Sequence, residues 1–270
     1  MSRAQTRRTE PLPRPEGALA TAGDIVGFGL RALHSLPRVV PYASEALRQA
    51  ALVAVGSTLV IVAIAFMAGG SCGLESTSLS RAFGTAPIAA GFSTWCTMRE
   101  VIPFVFGYIL AAKVGCGMVA ELGAMRVSEE VDGLEAIGVR SLPFLVGTRL
   151  LGCLLVLPAA YLLALASSYA AAYLMSVKRF GDVSPGTWKL FFFLFQNTGD
   201  LVYSCIKGVA ITIFVLTVSL YYGYELREGG AEGVGLATAR SMAVNIVGVT
   251  LISTLGTLAF WGANPRLPFG

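Results

Sequence analysis

The sequence has few charged residues. Asp, Glu, Lys and Arg together make up 13% of the 270 residues, whereas soluble domains carry about 25%. So few charges cannot cover a globule of this size with a polar surface, and the mean hydropathy of +0.70 agrees. The same composition excludes disordered, collagen-like and nucleic-acid-binding proteins. An integral membrane protein with several spans is the class that remains.

Two kinds of chemistry are excluded by residues that the sequence nearly lacks. His34 is the single histidine, so a histidine metal site or a catalytic triad cannot be built. None of the few lysines is followed by Ser or Thr, which excludes the Walker A phosphate-binding loop. We therefore expect no enzymatic activity and no cofactor bound by this chain, and any ATP hydrolysis requires a second polypeptide.

The cysteines are also uninformative as a pattern. They are scattered singly, without a Cys-x-x-Cys pair, at Cys72, Cys96, Cys116, Cys153 and Cys205. No spacing supports a disulfide framework or a metal site, and most of the cysteines lie in or beside apolar runs. We therefore expect small buried hydrophobic side chains.

Long apolar stretches are what the sequence does contain. A bilayer core of about 30 Å needs about 20 apolar residues in a helix, and the runs do not alternate as barrel strands would. Five spans are predicted, at residues 49–74, 101–120, 150–177, 208–224 and 241–265. Residues 82–98 are uncharged but interrupted by Gly84, Pro87 and Gly91, which indicates a re-entrant or surface segment.

The first fifty residues divide into two predicted parts. Residues 1–20, with an Arg- and Pro-rich start, are predicted to be a disordered cytoplasmic tail. Residues 21–48 are predicted to contain an amphipathic helix, whose apolar face consists of Ile25, Phe28, Gly29, Ala32, Leu33 and Leu36. Pro37 and Pro41 then turn the chain towards the permease domain, residues 49–265.

The distribution of basic residues predicts the orientation. With a cytoplasmic N-terminus, six of the 20 Lys and Arg residues lie outside and Lys207 lies within a span, which leaves thirteen inside. The positive-inside rule therefore favours a cytoplasmic N-terminus and, with five spans, an external C-terminus. The six outer residues are Arg81, Arg99, Lys178, Arg179, Lys189 and Arg266.

A polar segment between the second and third spans is predicted to form a short helix over about residues 127–138. Ser128 is a good N-cap, Glu129 and Glu130 suit the first turn, and Gly138 is a good terminator. So short a helix is marginal alone and needs a docking surface. Its acidic face, Glu130, Asp132 and Glu135, favours a protein partner over an anionic membrane surface. A merely solvated loop helix is the alternative.

Residues 121–139, which read ELGAMRVSEEVDGLEAIGV, resemble the signature of the MlaE/YrbE permease family. Gly133 departs from the family, in which Ala is usual. Further matches follow the family order: Arg99-Glu-Val-Ile-Pro103, Asp200-Leu-Val-Tyr-Ser-Cys-Ile-Lys207 and Tyr222-Gly-Tyr224. Together these motifs span nearly the whole membrane part.

The resemblance implies a fold and a set of partners. Members of this family are five-span transmembrane subunits of ABC transporters that move lipids, preceded by an interfacial helix, in the inner (plasma) membrane. They work as dimers, and here the resemblance favours a second YrbE-type permease as the partner. Each dimer lies on a pair of separate ABC ATPase subunits, which hold ATP and Mg²⁺. A ring of mammalian-cell-entry (MCE) proteins lies above the dimer. The short acidic helix would be the coupling helix. Its predicted coupling residues are Glu121, Arg126, Ser128, Glu129, Glu130, Asp132, Leu134 and Glu135.

Charged residues within spans are costly and often functional. The resemblance implies that Arg99, Glu100, Asp200 and Lys207 lie near a lipid pocket, where they would hold a head group. An internal salt-bridge network that fixes helix packing is the alternative. The remaining predicted pathway residues are Phe104, Tyr108 and Phe214.

Two other functions stay open at this stage. Asp200, Glu100 and Lys207 could form a proton relay in an ion-gradient-driven secondary transporter, although no inverted repeat is visible. The chain could instead be a membrane scaffold that recruits MCE proteins without transporting anything.

Overall fold

The chain is a multi-pass membrane protein built from helices. The computed structural model describes residues 17–181, 183–226 and 229–262. Within these ranges there is no strand, and five helical stretches are long and apolar enough to cross a membrane: Leu19–Ala82, Ala86–Val127, Leu142–Arg179, Thr198–Tyr224 and Gly230–Trp261. The all-α, five-span prediction is confirmed. Most of the predicted tail, and residues 263–265 of the predicted permease domain, lie outside the described residues.

The N-terminal helix α1 (Ala18–Ser35) packs on the bundle. Its first residue precedes the predicted boundary at residue 21. Ile25, Phe28 and Ala32 are buried, as the amphipathic pattern predicts, mainly against the later helix at Thr198–Tyr224 and the turn at Leu142–Gly147. Leu33, predicted on the same face, is instead 39% exposed, because it lies at the edge of that face. A 3₁₀ turn, Leu36–Tyr42, contains both prolines and leads into the first span.

The first span, α2 (Ala43–Ala82), packs along the third, whose main helix we number α7 (Thr148–Tyr173). The two backbones approach very closely. A Cβ on Gly69 would lie 2.2 Å from the carbonyl oxygen of Ser168, and one on Gly73 would lie 2.7 Å from the Cα of Ala172. Small residues permit this approach, as they do in membrane helix pairs generally.

The second span consists of three α-helices, α3 (Ala89–Trp95), α4 (Ile102–Ile109) and α5 (Cys116–Val127). Two π-helical turns, Cys96–Val101 and Leu110–Gly115, join them. The predicted re-entrant or surface segment at residues 82–98 is therefore wrong from α3 onwards, because α3 is largely buried and continues into the span. Gly91 does not interrupt the helix; a Cβ there would lie 2.5 Å from the ring of Phe195.

The cysteine prediction is wrong for two of the five residues. Cys72 and Cys96 form a disulfide, with Cα atoms 6.1 Å apart, while Cys116, Cys153 and Cys205 are free. The pair joins α2 to the first residue of the π-helical turn Cys96–Val101. Nothing in the cysteine spacing predicts this pair, because the partners come from different helices, 24 residues apart.

Four further α-helices lie in the described part of the chain. The short helix α6 (Glu130–Ala136) lies between α5 and α7 in the chain. The aromatic helix α8 (Pro185–Phe195) follows α7 and packs on α3. The fourth and fifth spans, α9 (Thr198–Tyr224) and α10 (Gly230–Trp261), pack on each other and on the second span. Both begin before their predicted apolar limits at 208 and 241, because the polar residues ahead of those limits continue the same helices.

Candidate functional site

Four charged residues of the second and fourth spans form a buried charge cluster, Arg99, Glu100, Asp200 and Lys207. A guanidinium nitrogen of Arg99 lies 2.7 Å from one carboxylate oxygen of Asp200. The other oxygen accepts a hydrogen bond of 2.9 Å from the indole nitrogen of Trp261. With its side chain only 1% exposed, Asp200 is a fully buried carboxylate that is both paired and hydrogen-bonded.

Lys207 forms the second half of the cluster. Its ammonium group donates to the carbonyl oxygen of Arg99 (2.8 Å), to the carboxylate of Glu100 (2.9 Å) and to the hydroxyl of Thr257 (2.6 Å). An ammonium has three donors, so these contacts satisfy it. Asp200 and Lys207 therefore each pair with the second span and not with each other.

The π-helical turn Cys96–Val101 makes this arrangement possible. Carbonyl oxygens of the turn accept hydrogen bonds from outside their own helix: Met98 accepts from the hydroxyl of Ser204 at 2.6 Å, and Arg99 accepts from Lys207. Such wide turns are frequent at functional sites. Here the turn directs Arg99 and Glu100 towards α9 and α10.

Glu100 differs from the other three residues of the buried charge cluster. Its side chain is 45% exposed, although its carboxylate also accepts from Ser253 at 3.2 Å and bonds to Thr257. It is therefore the most exposed member of the cluster. Among the predicted pathway residues, it alone combines a charge with substantial exposure.

The aromatic pathway residues lie further along the same helices. The rings of Phe104 and Tyr108 are 4.3 Å apart, and the hydroxyl of Tyr108 lies 2.9 Å from that of Thr250 on α10. Phe214 packs on α10 at Gly248, where a Cβ would lie 2.1 Å from its ring. The structure thus brings Tyr108 and Phe214 onto α10, with Phe104 packed on Tyr108, and the role of all three in transport stays a prediction.

Sequence reasoning missed the contribution of the fifth span. Ser253, Thr257 and Trp261 all contact the buried charge cluster from α10. A signal was present, because these polar or amphipathic side chains recur every four residues and so lie on one helix face. That spacing could have identified the face of the fifth span that meets the charges.

At the opposite end of the bundle, the predicted coupling helix is shorter than expected. It is α6, seven residues long, and Ser128 does not cap it. Ser128 follows α5 directly and donates back to the carbonyl of Ala124 at 3.0 Å, because α5 extends to Val127. Glu129 occupies the N-cap position in a left-handed conformation with φ 59°. Gly138, with φ 84°, ends the segment as predicted.

Two contacts fasten α6 to the end of α9. Arg126 pairs with Asp132 at 3.2 Å and donates to the carbonyl oxygen of Tyr224 at 2.8 Å, with its guanidinium 4.7 Å from the ring centroid. Ser141 bonds to the carboxylate of Glu135 and to the hydroxyl of Tyr224. Tyr224, the last residue of α9, is therefore the attachment point of α6.

The predicted coupling residues separate into two groups. Glu129, Glu130, Ser128 and Glu135 are exposed, as is Asp132 with 70% of its side chain, so a partner can reach them. Leu134 is partly buried. Glu121 instead pairs with the buried Arg149 at 2.7 Å, and Arg126 faces Tyr224. Glu121 and Arg126 thus hold the helices together, and contact with an ATPase stays a prediction for the whole set.

α9 joins the two ends of the protein. Its 27 residues give a rod about 40 Å long at 1.5 Å per residue. Asp200 and Lys207 lie near one end and Tyr224 lies at the other. One continuous helix therefore connects the contacts of α6 with the buried charge cluster. Among the described residues, no group of His, Cys, Asp and Glu could hold a metal ion.

Comparison with known proteins finds matches over most of the chain. The family model described as permease MlaE matches residues 46–259. A probable ABC transporter permease protein of Rickettsia bellii is 30% identical over 227 residues, which cover 84% of this chain and 86% of the relative. A probable ABC transporter permease protein of Synechocystis is 27% identical, covering 75% and 78%. Protein TRIGALACTOSYLDIACYLGLYCEROL 1, chloroplastic, of Arabidopsis thaliana is 28% identical, covering 70% and 52%.

Proposed function

This chain belongs to the MlaE permease family and is the permease of an ABC transporter; from that membership we propose that it moves lipid, driven by ATP. It contributes one half of a dimeric lipid pathway. A pair of separate ATPase subunits, which bind ATP and Mg²⁺, lies on the side of α6, and a ring of MCE proteins lies on the side of the buried charge cluster.

The observation that carries this proposal is the connection made by α9. A transporter driven by a separate ATPase needs an exposed docking element and a rigid path from it to the substrate site. Here α6 presents exposed acidic residues and is fastened to Tyr224, while Asp200 and Lys207 on the same helix contact the second span. ATP-driven closure of the ATPase pair pushes α6, and α9 carries the displacement to Glu100.

Lipid is the substrate class that fits the surroundings of Glu100. Its partly exposed carboxylate lies at the end of an apolar span that also presents Phe104 and Tyr108. A single charge beside a long apolar surface suits an amphiphile better than a sugar or an ion. The name of the Arabidopsis relative is that of a glycolipid, which supports the same class.

The proposed location is the inner (plasma) membrane, with the N-terminus in the cytoplasm and the C-terminus outside. Two observations support this orientation. Basic residues predominate on the side of α6. The disulfide Cys72–Cys96 lies towards the other side, and disulfides persist outside the reducing cytoplasm.

Purification in mild detergent from the native membrane, followed by mass spectrometry, tests the proposed assembly. We expect a soluble ATPase, a second YrbE-type permease and MCE proteins to copurify with the chain. Their absence, with lipid still moving across proteoliposomes on an ion gradient alone, would replace the proposal with a secondary transporter.

A variant of the α6 attachment tests the proposed coupling. In Arg126→Gln the contact with Tyr224 is weakened, and we expect lipid transport to fall about tenfold while ATP hydrolysis by the complex continues. Arg48→Gln is the matched control, because Arg48 is exposed and its guanidinium pairs with Glu45 on its own helix. Transport unaffected in Arg126→Gln contradicts the path through α9 and favours the scaffold alternative.

A further inference from the structure

A concave surface lies at the α6 end of the protein, far from the buried charge cluster. This interfacial pocket has a volume of about 610 Å³. It is formed by the end of α1, the 3₁₀ turn that follows, and the loop between α6 and α7. The residues that carry its chemistry are Arg31, His34, Arg38, Glu135, Arg140 and Leu142.

The interfacial pocket is strongly basic. Arg31, His34 and Arg38 recur at three- and four-residue spacing, and Arg140 faces them from the loop. Arg31 lies 3.6 Å from Glu225, so its charge is partly balanced. Within the described ranges, neither Arg38 nor Arg140 has an acidic side chain within ion-pair distance. Two guanidinium groups are thus available to an anion.

The acidic residue of the interfacial pocket does not cancel these charges. Glu135 is already bonded to Ser141, which also contacts Tyr224. The positive charge of the three arginines therefore exceeds the negative charge of Glu135, the one carboxylate that lines the pocket among the described residues. Arginine is the side chain best suited to phosphate, because its planar fork donates two parallel hydrogen bonds.

The outer face of α1 indicates where the interfacial pocket lies relative to the bilayer. Val26, Leu30 and Leu33 recur at helical spacing and are exposed, with Leu30 64% exposed. This stripe is opposite the buried face of Phe28 and Ala32. An exposed apolar stripe beside a basic end is typical of a helix that lies at the membrane interface. The arginines of the pocket therefore lie at head-group depth.

We propose that the interfacial pocket binds the phosphate group of an anionic phospholipid from the adjacent leaflet. Arg38 and Arg140 hold the phosphate, and the apolar wall at Leu142 and Pro143 accommodates the glycerol end of the acyl chains. This lipid is a resident ligand, distinct from the transported lipid near Glu100. Because Glu135 and Tyr224 also line the pocket, the lipid joins α1 to the attachment point of α6.

The test uses the intact detergent-purified complex and native mass spectrometry. Dioleoyl phosphatidylglycerol and dioleoyl phosphatidylcholine, which differ in head-group charge, are titrated separately. We expect phosphatidylglycerol to bind the wild type at least about tenfold more tightly than phosphatidylcholine. Arg38→Gln combined with Arg140→Gln should abolish most of this preference.

The matched control is Arg48→Gln combined with Arg240→Gln. It removes the same charge from two exposed arginines that do not line the interfacial pocket, and should retain the preference. A preference lost equally in this control would mean unspecific attraction and overturn the proposal. If the wild-type complex shows no preference for phosphatidylglycerol, the proposal is overturned whatever the variants do. The same holds if the preference is missing because an ATPase subunit covers the pocket.

A third arm distinguishes the two sources of phosphate. Inorganic phosphate at millimolar concentration is added to the complex loaded with phosphatidylglycerol. Retained lipid supports a phospholipid site, because the apolar wall contributes to binding. Displacement of the lipid would overturn that assignment and identify a site for soluble phosphate compounds.

Discussion

Two helix assemblies within this bundle differ in what holds them together. α2 and α7 pack backbone to backbone through Gly69 and Gly73, with no ion pair between the two helices among the described residues. The second span, α9 and α10 also pack closely, at Gly107 and Gly248, but in addition they meet through the buried charge cluster and its hydrogen bonds. The first assembly therefore depends on steric fit, whereas the second adds polar contacts that can exchange partners.

This contrast assigns different tasks to the two assemblies. Close packing in a membrane fixes one arrangement, because the lining atoms lose their contacts when the helices separate. Paired charges in a dry interior can be separated and reformed only if another group, such as a lipid head group, takes a partner's place. We infer that α2 and α7 form the static part and that the second span, α9 and α10 form the part that rearranges.

The largest expected effect comes from breaking the static part. Gly69→Leu places a side chain against the carbonyl of Ser168 on α7, which cannot move without separating the helices. Overpacking costs about 1–3 kcal/mol in ordinary cores, and this site lies at the upper end. We expect the yield of monodisperse complex, measured by size-exclusion chromatography, to fall to a small fraction.

Gly56→Leu is the control for this substitution. Gly56 lies on the same helix, but a Cβ there meets nothing within 4 Å. Its yield should match that of the wild type. Equal yields for the two leucine variants would show that the close approach of α2 and α7 is not needed for folding.

The next effect comes from the buried charge cluster. Lys207→Met leaves Glu100 without its partner and removes the donor to the carbonyl of Arg99. An unsatisfied buried group costs about 1–3 kcal/mol, and the exposure of Glu100 moderates this cost. We therefore expect a moderate loss of yield and a loss of lipid transport in proteoliposomes.

The double variant Lys207→Met with Glu100→Gln separates packing from function. Replacing both charges removes the mismatch, so the yield should recover, while transport should stay low because the charge presented to the lipid is gone. Recovery of transport together with yield would show that the pair is only a packing device. That outcome would support the salt-bridge network left open by the sequence.

The disulfide offers a covalent test of how the two assemblies are linked. Denatured protein treated with a maleimide should carry three labels, on Cys116, Cys153 and Cys205. After reduction it should carry five, because Cys72 and Cys96 become available. Intact mass spectrometry counts the labels directly. Five labels without reduction would contradict both the disulfide and the orientation that it supports.

The sequence predicted those features that depend on one helix at a time. Runs of apolar residues give the five spans because each must cross the bilayer alone. Asp200 pairs with Arg99, and Lys207 pairs with Glu100. The apolar runs of the second and fourth spans do not predict these pairs, because the pairs require the π-helical turn at Cys96–Val101. No composition or periodicity marks such a turn, so the charges could be identified but not matched.

The same distinction explains the errors. Ser128 has the chemistry of an N-cap, but the preceding helix extends to Val127 and uses Ser128 at its own end. Gly91 has the chemistry of a helix breaker, but the helix keeps it because the ring of Phe195 fills the space. In both cases a contact outside the local segment decided the structure.

The smallest expected effect concerns α6, an exposed element joined to the part that rearranges. Gly133 lies within α6, and a Cβ there meets nothing within 4 Å, so Gly133→Ala should stabilise the helix by about 0.5–1 kcal/mol. Hydrogen exchange of the α6 amides in the purified complex should slow by about two- to fivefold. Gly138→Ala is the matched opposite, because φ 84° at Gly138 is strained for alanine and exchange should accelerate. Two variants that change exchange in the same direction would mean that docking, and not helix propensity, controls the stability of α6.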